Sequence, residues 1–132
     1  MRISEIHVYQ RDLPVKGGSY RTSRSGDLSV MDATIVELVT DTGLVGLGEG
    51  TLNGFIKTTE AAVRELEHLM IGQDPRNIEH LYSMMVNFTR FPGGLVVNAA
   101  ISGIEHALWD VAGKAAGLPV YMLLGGKCRD KI

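Results

Sequence analysis

The chain carries AISGIEHALWDVAGKAAGLPVYMLLGG at residues 100–126, and this stretch decides the fold. Its apolar residues recur three and four positions apart, which predicts a buried helix over about residues 96–116. Gly117 ends that helix, and Pro119 prevents its continuation. Residues 119–124 then predict one or two further helical turns before a pair of glycines. The expected buried positions of the long helix are Ala100, Ile101, Ile104, Ala107, Leu108 and Val111.

Small residues make this long helix thin. Gly103 and Gly113 lie in its interior, where a glycine costs about 1 kcal/mol relative to alanine. The larger apolar residues keep their helical spacing around both glycines, so a merely weak helix is the less favoured interpretation. We expect neighbouring backbone to approach the helix closely at these two positions.

Two shorter helices are predicted before it. The first covers about residues 59–70, with Thr58 or Thr59 as its N-terminal cap and one apolar face turned inward. Asp74 and Pro75 are expected to begin the second helix, as its cap and first helical residue. Its predicted inward residues, the last of which ends the helix, are Ile78, Leu81, Tyr82, Met85 and Phe88.

The first fifty or so residues predict a sheet instead. Residues 3–13 and 32–40 have strand-like patterns, and residues 44–48 return as a partner strand after the turn at residues 41–43. Residues 16–29 are polar and glycine-rich without periodicity, which predicts a mobile loop. Strands followed by helices, rather than alternating with them, indicate an α+β fold. The predicted architecture is a three-stranded antiparallel meander followed by a helical bundle.

Composition excludes several classes of function. The chain has thirteen basic and fifteen acidic residues, so its net charge is −2. It therefore lacks the excess of positive charge that is typical of proteins that bind nucleic acid or an anionic membrane surface. No apolar run reaches the roughly 20 residues that a bilayer-spanning helix needs. The start, MRISEIHVYQRDLPV, lacks the apolar stretch of a secretory signal. Cys128 is the single cysteine, so no internal disulfide can form and a cytoplasmic location is expected.

Two motifs carry a family resemblance. The longer one combines AISGIEHALWDVAGK at residues 100–114 with PVYMLLGG at residues 119–126, and the shorter one is GLVGLGE at residues 43–49. With the predicted order of elements, they resemble the N-terminal capping domain of the mandelate racemase/muconate lactonizing enzyme group of the enolase superfamily. The resemblance covers almost the whole chain but only about a third of a full-length member.

The resemblance implies a second domain, a modified (β/α) barrel, that is absent from this chain. Residues 1–126 would be the capping domain, and residues 127–132 would start the linker or the first barrel strand. In the family, the carboxyl ends of the barrel strands carry the acid/base groups and three acidic ligands for Mg²⁺, and the enzyme removes a proton next to a carboxylate. We therefore name no catalytic residue and no metal ligand here, and expect the 132 residues alone to be inactive. The implied partners are a small carboxylate substrate, the chain's own C-terminal barrel and further copies in a homo-oligomer.

The resemblance also implies that two loops close over the barrel mouth and contact the substrate. The first loop is residues 16–29 and the second is residues 51–57. The candidate substrate-binding residues are Tyr20, Arg21 and Arg24 in the first loop, and Asn53 and Phe55 in the second. An arginine fork can hold hydroxyl or carboxylate oxygens, whereas the structural alternatives are a solvated arginine and an Asn-Gly turn. Glu49, just before the second loop, either orients this loop or bridges to the barrel, or is a solvated carboxylate at the strand end.

Other polar residues have simpler explanations. Glu65 and His68 are three residues apart, which is the spacing found in one half of a carboxylate-bridged metal site. No second copy of the motif follows, which favours a charged pair on an exposed helical face. Asp110 and Lys114 are four residues apart and are expected to pair on their helix in a structural role. The alternating glycines of residues 46–50 lack the spacing of a nucleotide-binding loop.

Within the family, a polar first loop that carries arginines favours an acid sugar, so the expected reaction is acid-sugar dehydration. The segment LPVKGGSY at residues 13–20 is also similar to members that racemise, epimerise or dehydrate cyclic amino acids such as hydroxyproline derivatives, and this alternative stays open. An alternative of another class is a non-catalytic, stand-alone interaction module. Such a module would expose the apolar surface that a barrel normally covers.

Overall fold

A computed structural model describes residues 1–22, 26–88 and 93–131 of the chain. Its main sheet has three antiparallel strands in the order β1-β4-β5, and a separate two-stranded hairpin is made by β2 and β3. The predicted three-stranded meander is therefore confirmed. The strand bounds are β1 Ile3–Pro14, β2 Tyr20–Thr22, β3 Gly26–Leu28, β4 Val30–Thr40 and β5 Val45–Glu49.

The first loop is more regular than its sequence predicts. Residues 16–29 were expected to lack regular structure, but Tyr20 pairs with Leu28 and Arg21 pairs with Asp27 across β2 and β3. The prediction was wrong because it rested on missing periodicity, and strands of three residues are too short to show any. The loop therefore contains a small hairpin that is separate from the main sheet.

The four helices follow the sheet, as the α+β prediction requires. Helix α1 spans Ile56–Met70, α2 spans Ile78–Phe88, α3 spans Leu95–Ala116 and α4 spans Val120–Leu123. Gly117 adopts the left-handed conformation after α3, with φ of 67°, which confirms the predicted stop. All six predicted inward residues of α3 are buried, and they join one core with residues of β1, β4, α1 and α2.

Helix α1 begins three residues earlier than predicted, and neither Thr58 nor Thr59 caps it. The residue before the helix is Phe55, whose backbone carbonyl accepts hydrogen bonds from the Thr59 amide at 2.8 Å and the Thr59 hydroxyl at 3.0 Å. The Phe55 amide donates to the Leu52 carbonyl at 2.9 Å. A backbone turn therefore replaces the side-chain cap that the sequence suggested.

Helix α2 also begins elsewhere than predicted, at Ile78 instead of Pro75. Asp74 caps the preceding turn: its carboxylate accepts the Arg76 backbone N–H at 3.0 Å and two guanidinium N–H groups at 2.6 and 3.0 Å. These bonds hold the pKa of the Asp74 carboxyl far below its ordinary value.

Two of the predicted inward residues of α2, Tyr82 and Phe88, are exposed, and the ring of Phe88 contacts the ring of His68.

Helix α3 lies directly on the backbone of β5 and the residue that follows it. A methyl group added to Gly46, Gly48 or Gly50 would overlap a carbonyl oxygen of α3. The overlapping pairs are Gly46 with Ala107, Gly48 with Gly103 and Gly50 with Ala99. The close approach expected at Gly103 is thus confirmed, and a methyl group on Gly113 would lie 2.8 Å from the Leu118 carbonyl oxygen. The three glycines are two residues apart, and the small helical residues that they contact are four residues apart. Two residues of extended chain and four residues of helix span similar lengths, so each glycine meets one small residue of α3.

The predicted pair of Asp110 and Lys114 is confirmed at 2.8 Å, and it also covers the open edge of β5. The Asp110 carboxylate accepts the Leu47 amide at 2.9 Å, and the Lys114 ammonium donates to the Val45 carbonyl at 2.7 Å. Two backbone groups that an edge strand would leave free are therefore satisfied by side chains. These bonds fix the first half of β5, from Val45 to Leu47, against α3.

Candidate functional site

The two loops meet at one end of the main sheet. There β1 ends at Pro14, β4 begins opposite it at Val30, and β5 ends at Glu49 before the second loop. A cleft of about 280 Å³ opens between these segments, and we name it the loop cleft. Its lining residues are Leu28, Val30, Met31, Asp32, Asn53 and Gly54. Both loops therefore contribute to one concave surface, as expected for loops that contact a common ligand.

A second hollow of about 390 Å³, which we name the Tyr20 groove, lies beside the loop cleft. It is lined by Leu13, Pro14, Val15, Tyr20 and Met31. Met31 belongs to both hollows and forms the wall between them. The groove is mainly apolar, whereas the cleft adds a carboxylate and an amide to its apolar wall.

Hydrogen bonds tie the start of the second loop to β4. The Thr34 amide donates to the Thr51 hydroxyl oxygen at 3.0 Å, and the Gly50 amide donates to the Thr34 carbonyl at 2.9 Å. The Thr51 hydroxyl donates to a Glu49 carboxylate oxygen at 2.7 Å. Glu49 thus orients the second loop through Thr51, which supports the first of its expected roles.

The candidate residues of the second loop separate in space. Asn53 lines the loop cleft beside Gly54, whose positive φ of 79° suits the Asn-Gly turn. Phe55 is 56% exposed and is not among the residues that line the cleft or the groove. The structure therefore brings Asn53 to the cleft and leaves Phe55 exposed to solvent.

The first loop places its candidates on the hairpin. Tyr20 lines the Tyr20 groove and is 58% exposed. The side chain of Arg21 is 86% exposed, and its Nε atom lies 3.9 Å from a carboxylate oxygen of Asp27. Arg24 lies outside the described residues. Of the five candidates, Tyr20 and Asn53 share the neighbourhood of Met31.

Met31 and Asp32 are site residues that the sequence did not single out. Both lie at the start of β4: Asp32 is the first residue of the predicted strand and Met31 precedes it, whereas the predicted substrate contacts lie in the loops. Asp32 is half-buried and stands opposite Asp12 in the pairing of β1 with β4. Two carboxylates in register are unusual because like charges across a strand pair repel, and this was the available signal.

Among the described residues, Tyr9 on β1 and Asp74 before α2 have shifted pKa values, and neither lines the loop cleft or the Tyr20 groove. A hydrogen bond to the Glu37 carboxylate at 3.1 Å raises the pKa of the Tyr9 phenol, and Asp74 lies in the turn before α2. His7 pairs with Glu5 at 2.9 Å on β1. Within residues 1–22, 26–88 and 93–131, no group of three or more His, Cys, Asp or Glu side chains could hold a metal ion. The loop cleft thus offers hydrogen bonds and apolar contact for binding.

Within the same ranges, no helix is long and apolar enough to cross a membrane.

Comparison with known proteins gives a consistent result. The family model of the mandelate racemase/muconate lactonizing enzyme N-terminal domain matches residues 15–125. The D-galactonate dehydratase of Pectobacterium atrosepticum is 47% identical over 97 residues, which cover 74% of this chain and 25% of the relative. The chain therefore spans about a quarter of the length of the curated relatives it matches.

Solved structures agree in fold. A mandelate racemase/muconate lactonizing enzyme from Roseovarius nubinhibens superposes with a TM-score of 0.85 at 35% identity, over 98% of this chain and 35% of the other. An enolase from Pantoea ananatis, solved with bound D-gluconate and Mg, has a TM-score of 0.79 at 38% identity. That match covers 99% of this chain and 28% of the neighbour.

Proposed function

Because the chain belongs to the mandelate racemase/muconate lactonizing enzyme family, we propose that it caps a larger enzyme that dehydrates an acid sugar. Residues 1–126 form the capping domain in this proposal, and residues 127–132 lead into a C-terminal barrel. The barrel carries the acid/base groups, and the enzyme assembles as a cytoplasmic homo-oligomer. The proposed substrate contacts of this chain are Tyr20, Arg21, Arg24, Asn53 and Phe55.

The loop cleft is the observation that carries this proposal. It joins an apolar wall, formed by Leu28, Val30 and Met31, to the polar side chains of Asp32 and Asn53. A polyhydroxylated chain presents C–H groups and hydroxyls along the same few ångströms, so it can use both kinds of lining. The names of the relatives support this choice, since one is a D-galactonate dehydratase and another holds D-gluconate.

In the proposed reaction, the substrate loses the proton next to its carboxylate and the hydroxyl on the adjacent carbon. Together they leave as water, and the resulting enol becomes a 2-keto-3-deoxy acid. The described residues of this chain do not fit Mg²⁺, because they form no cluster of ligands, so the metal belongs to the barrel in this proposal. Bound there, Mg²⁺ would stabilise negative charge on the carboxylate oxygens. The contribution of this chain is to hold the distal carbons and to exclude water.

One feature favours a second candidate reaction. The Tyr20 groove is lined by Leu13, Pro14, Val15, Tyr20 and Met31, and the C–H face of a small saturated ring would pack on such a surface. A racemase, epimerase or dehydratase acting on a cyclic amino acid would use the groove instead of the cleft.

The test is turnover by the full-length protein. We expect it, with Mg²⁺, to convert at least one hexonate from a panel of acid sugars into an α-keto acid, and to leave cyclic amino acids unchanged. Residues 1–132 alone should convert none of them. Turnover confined to cyclic amino acids would favour the second candidate reaction. Turnover by the isolated chain would contradict the proposal that the barrel carries the acid/base groups.

Phe55 provides a test at the level of one residue. If its exposed ring contacts substrate, Phe55→Ala in the full-length enzyme should change the ratio of kcat/KM between two acid sugars by about tenfold, because one apolar side chain in a pocket discriminates on that scale. The affinity for Mg²⁺ should not change. Phe88→Ala is the matched control, since Phe88 is similarly exposed but lies on α2. An unchanged ratio in Phe55→Ala would remove this residue from the proposed contacts.

A further inference from the structure

Asp32 is one of the residues that line the loop cleft. The residue is half-buried at the start of β4, and among the described residues that line the cleft it is the charged one. Asn53, from the second loop, supplies the other polar side chain of the lining. A ligand in this cleft therefore meets a hydrogen-bond acceptor with a negative charge, beside an amide that can both donate and accept.

A second carboxylate reinforces that charge. Asp12 of β1 is the register partner of Asp32 in β4, and residues opposite each other in an antiparallel pair project to the same face of the sheet. The nearest described arginine of the first loop, Arg21, is turned to Asp27 on the hairpin. Asp12 and Asp32 therefore place two negative charges side by side on this face of the sheet, and a charge acts more strongly where solvent is partly excluded.

We propose that Asp32 is a specificity-determining residue that selects acid sugars with one carboxylate and rejects those with a carboxylate at both ends. The inference rests on the proposed function, in which the reacting carboxylate lies in the barrel and the distal end of the substrate lies in the loop cleft. A distal hydroxyl can donate a hydrogen bond to Asp32. A distal carboxylate has no proton to donate and would be held against a like charge, which is how a site excludes a competing ligand.

The test compares D-galactonate with galactarate, which differ at the distal carbon. For the full-length enzyme with Mg²⁺, we expect kcat/KM to be at least about 100-fold higher for D-galactonate. Asp32→Asn keeps the size and an acceptor oxygen but removes the charge, so it should reduce that ratio at least about tenfold, chiefly by improving the reaction of galactarate. Asp12→Asn should reduce the ratio by a smaller factor. Glu79→Gln is the control for loss of one negative charge, because Glu79 lines a separate groove beside Arg76 and Trp109.

A second measurement does not depend on any variant folding. The wild-type ratio should fall as ionic strength rises, because salt screens a Coulombic preference and leaves a steric one unchanged. A ratio that stays the same in Asp32→Asn and in high salt, or a wild-type enzyme that prefers galactarate, would overturn this inference and leave the proposed function intact. Failure of the full-length enzyme to convert any acid sugar would overturn both.

Discussion

At the scale of single residues, the backbone and the side chain of Thr34, at the base of the second loop, contribute differently to the structure. Thr34 is fully buried, and its backbone amide and carbonyl hold Thr51 and Gly50 in place. Its hydroxyl oxygen, in contrast, has no hydrogen-bond partner among the described residues. The backbone of Thr34 therefore positions the loop, while its side chain leaves a buried polar atom unsatisfied.

Thr34→Val should accordingly raise the free energy of unfolding by about 1 kcal/mol, because it replaces an unpaired buried hydroxyl with a methyl group of similar shape. Thr59→Val is the matched control. Thr59 is equally buried, but its hydroxyl donates to the Phe55 carbonyl, so this change should lower stability by about 1 kcal/mol. Urea titration of both variants measures the difference, and an equal loss of stability in the two would contradict the assignment.

Asp74 makes stability depend on pH with a defined sign. Arg76 lowers the pKa of this carboxyl in the folded chain, through a guanidinium pair and a backbone N–H. A carboxyl with a lowered pKa adds stability above its unfolded pKa and loses that contribution as pH falls toward the folded value. The stability difference between the wild type and Asp74→Asn should therefore be constant near pH 7 and shrink below about pH 4. It should be small, because Arg76 is exposed and solvent screens the pair.

Unfolding curves at several pH values test this prediction. Arg76→Met removes the guanidinium and should lose much of the same pH dependence while keeping the Asp74 carboxyl. A difference between wild type and Asp74→Asn that does not change from pH 7 to pH 3 would show that the pair has no linkage to folding.

At the scale of elements, the packing of α3 on β5 depends on the absence of side chains. Gly48→Ala would drive a methyl group into the Gly103 carbonyl, and backbone cannot yield as a flexible side chain does. We expect a loss of at least about 2 kcal/mol in unfolding free energy, since overpacking of a close contact costs on that order. Leu47→Ala, one residue away on the exposed side of the strand, should cost less than about 1 kcal/mol. Equal costs would show that α3 can move away from the strand.

The sequence predicts most of these elements because their patterns are local. The apolar spacing of α3 and its glycine stop lie within a single segment, and so do the alternation in β4 and the turn before β5. The spacing of the glycines at residues 46–50 excludes a nucleotide loop, and Gly103 indicates close packing. No local pattern shows that these glycines and Gly103 pack against each other, because they are far apart in the sequence. The start of α1 was missed because a backbone turn at Phe55 leaves no mark in side-chain chemistry.

At the scale of the whole molecule, the candidate site was only partly predictable. The two loops were identified from a family resemblance, and the structure brings them to one cleft through the order of strands. Asp32 could not be assigned from its own neighbours in sequence, because its place in the site depends on the second loop reaching across β4. Phe55 and the side chain of Arg21 are exposed, so their proposed roles need a surface that the described residues do not supply.

Apolar side chains are also exposed near the C-terminal end of the described residues. Around α4, an apolar surface is formed by Leu118, Tyr121, Met122 and Leu124, the last being 63% exposed. It borders a hollow of about 710 Å³ lined by residues of the following segment. Several large apolar side chains exposed close together are typical of an interface, and in our proposal the barrel covers them.

Residues 1–132 expressed alone should therefore fold but self-associate through this surface. We expect the double variant Met122→Ser/Leu124→Ser to sediment as a monomer at concentrations where the unmodified chain forms dimers or larger species, with an unchanged far-ultraviolet circular dichroism spectrum. Leu47→Ser is the control, because Leu47 is about half exposed on the edge strand far along the sequence from α4. If the unmodified chain stays monomeric at about 100 μM, or if Leu47→Ser disperses it as well as the double variant does, the surface around α4 is not the face that a second domain covers.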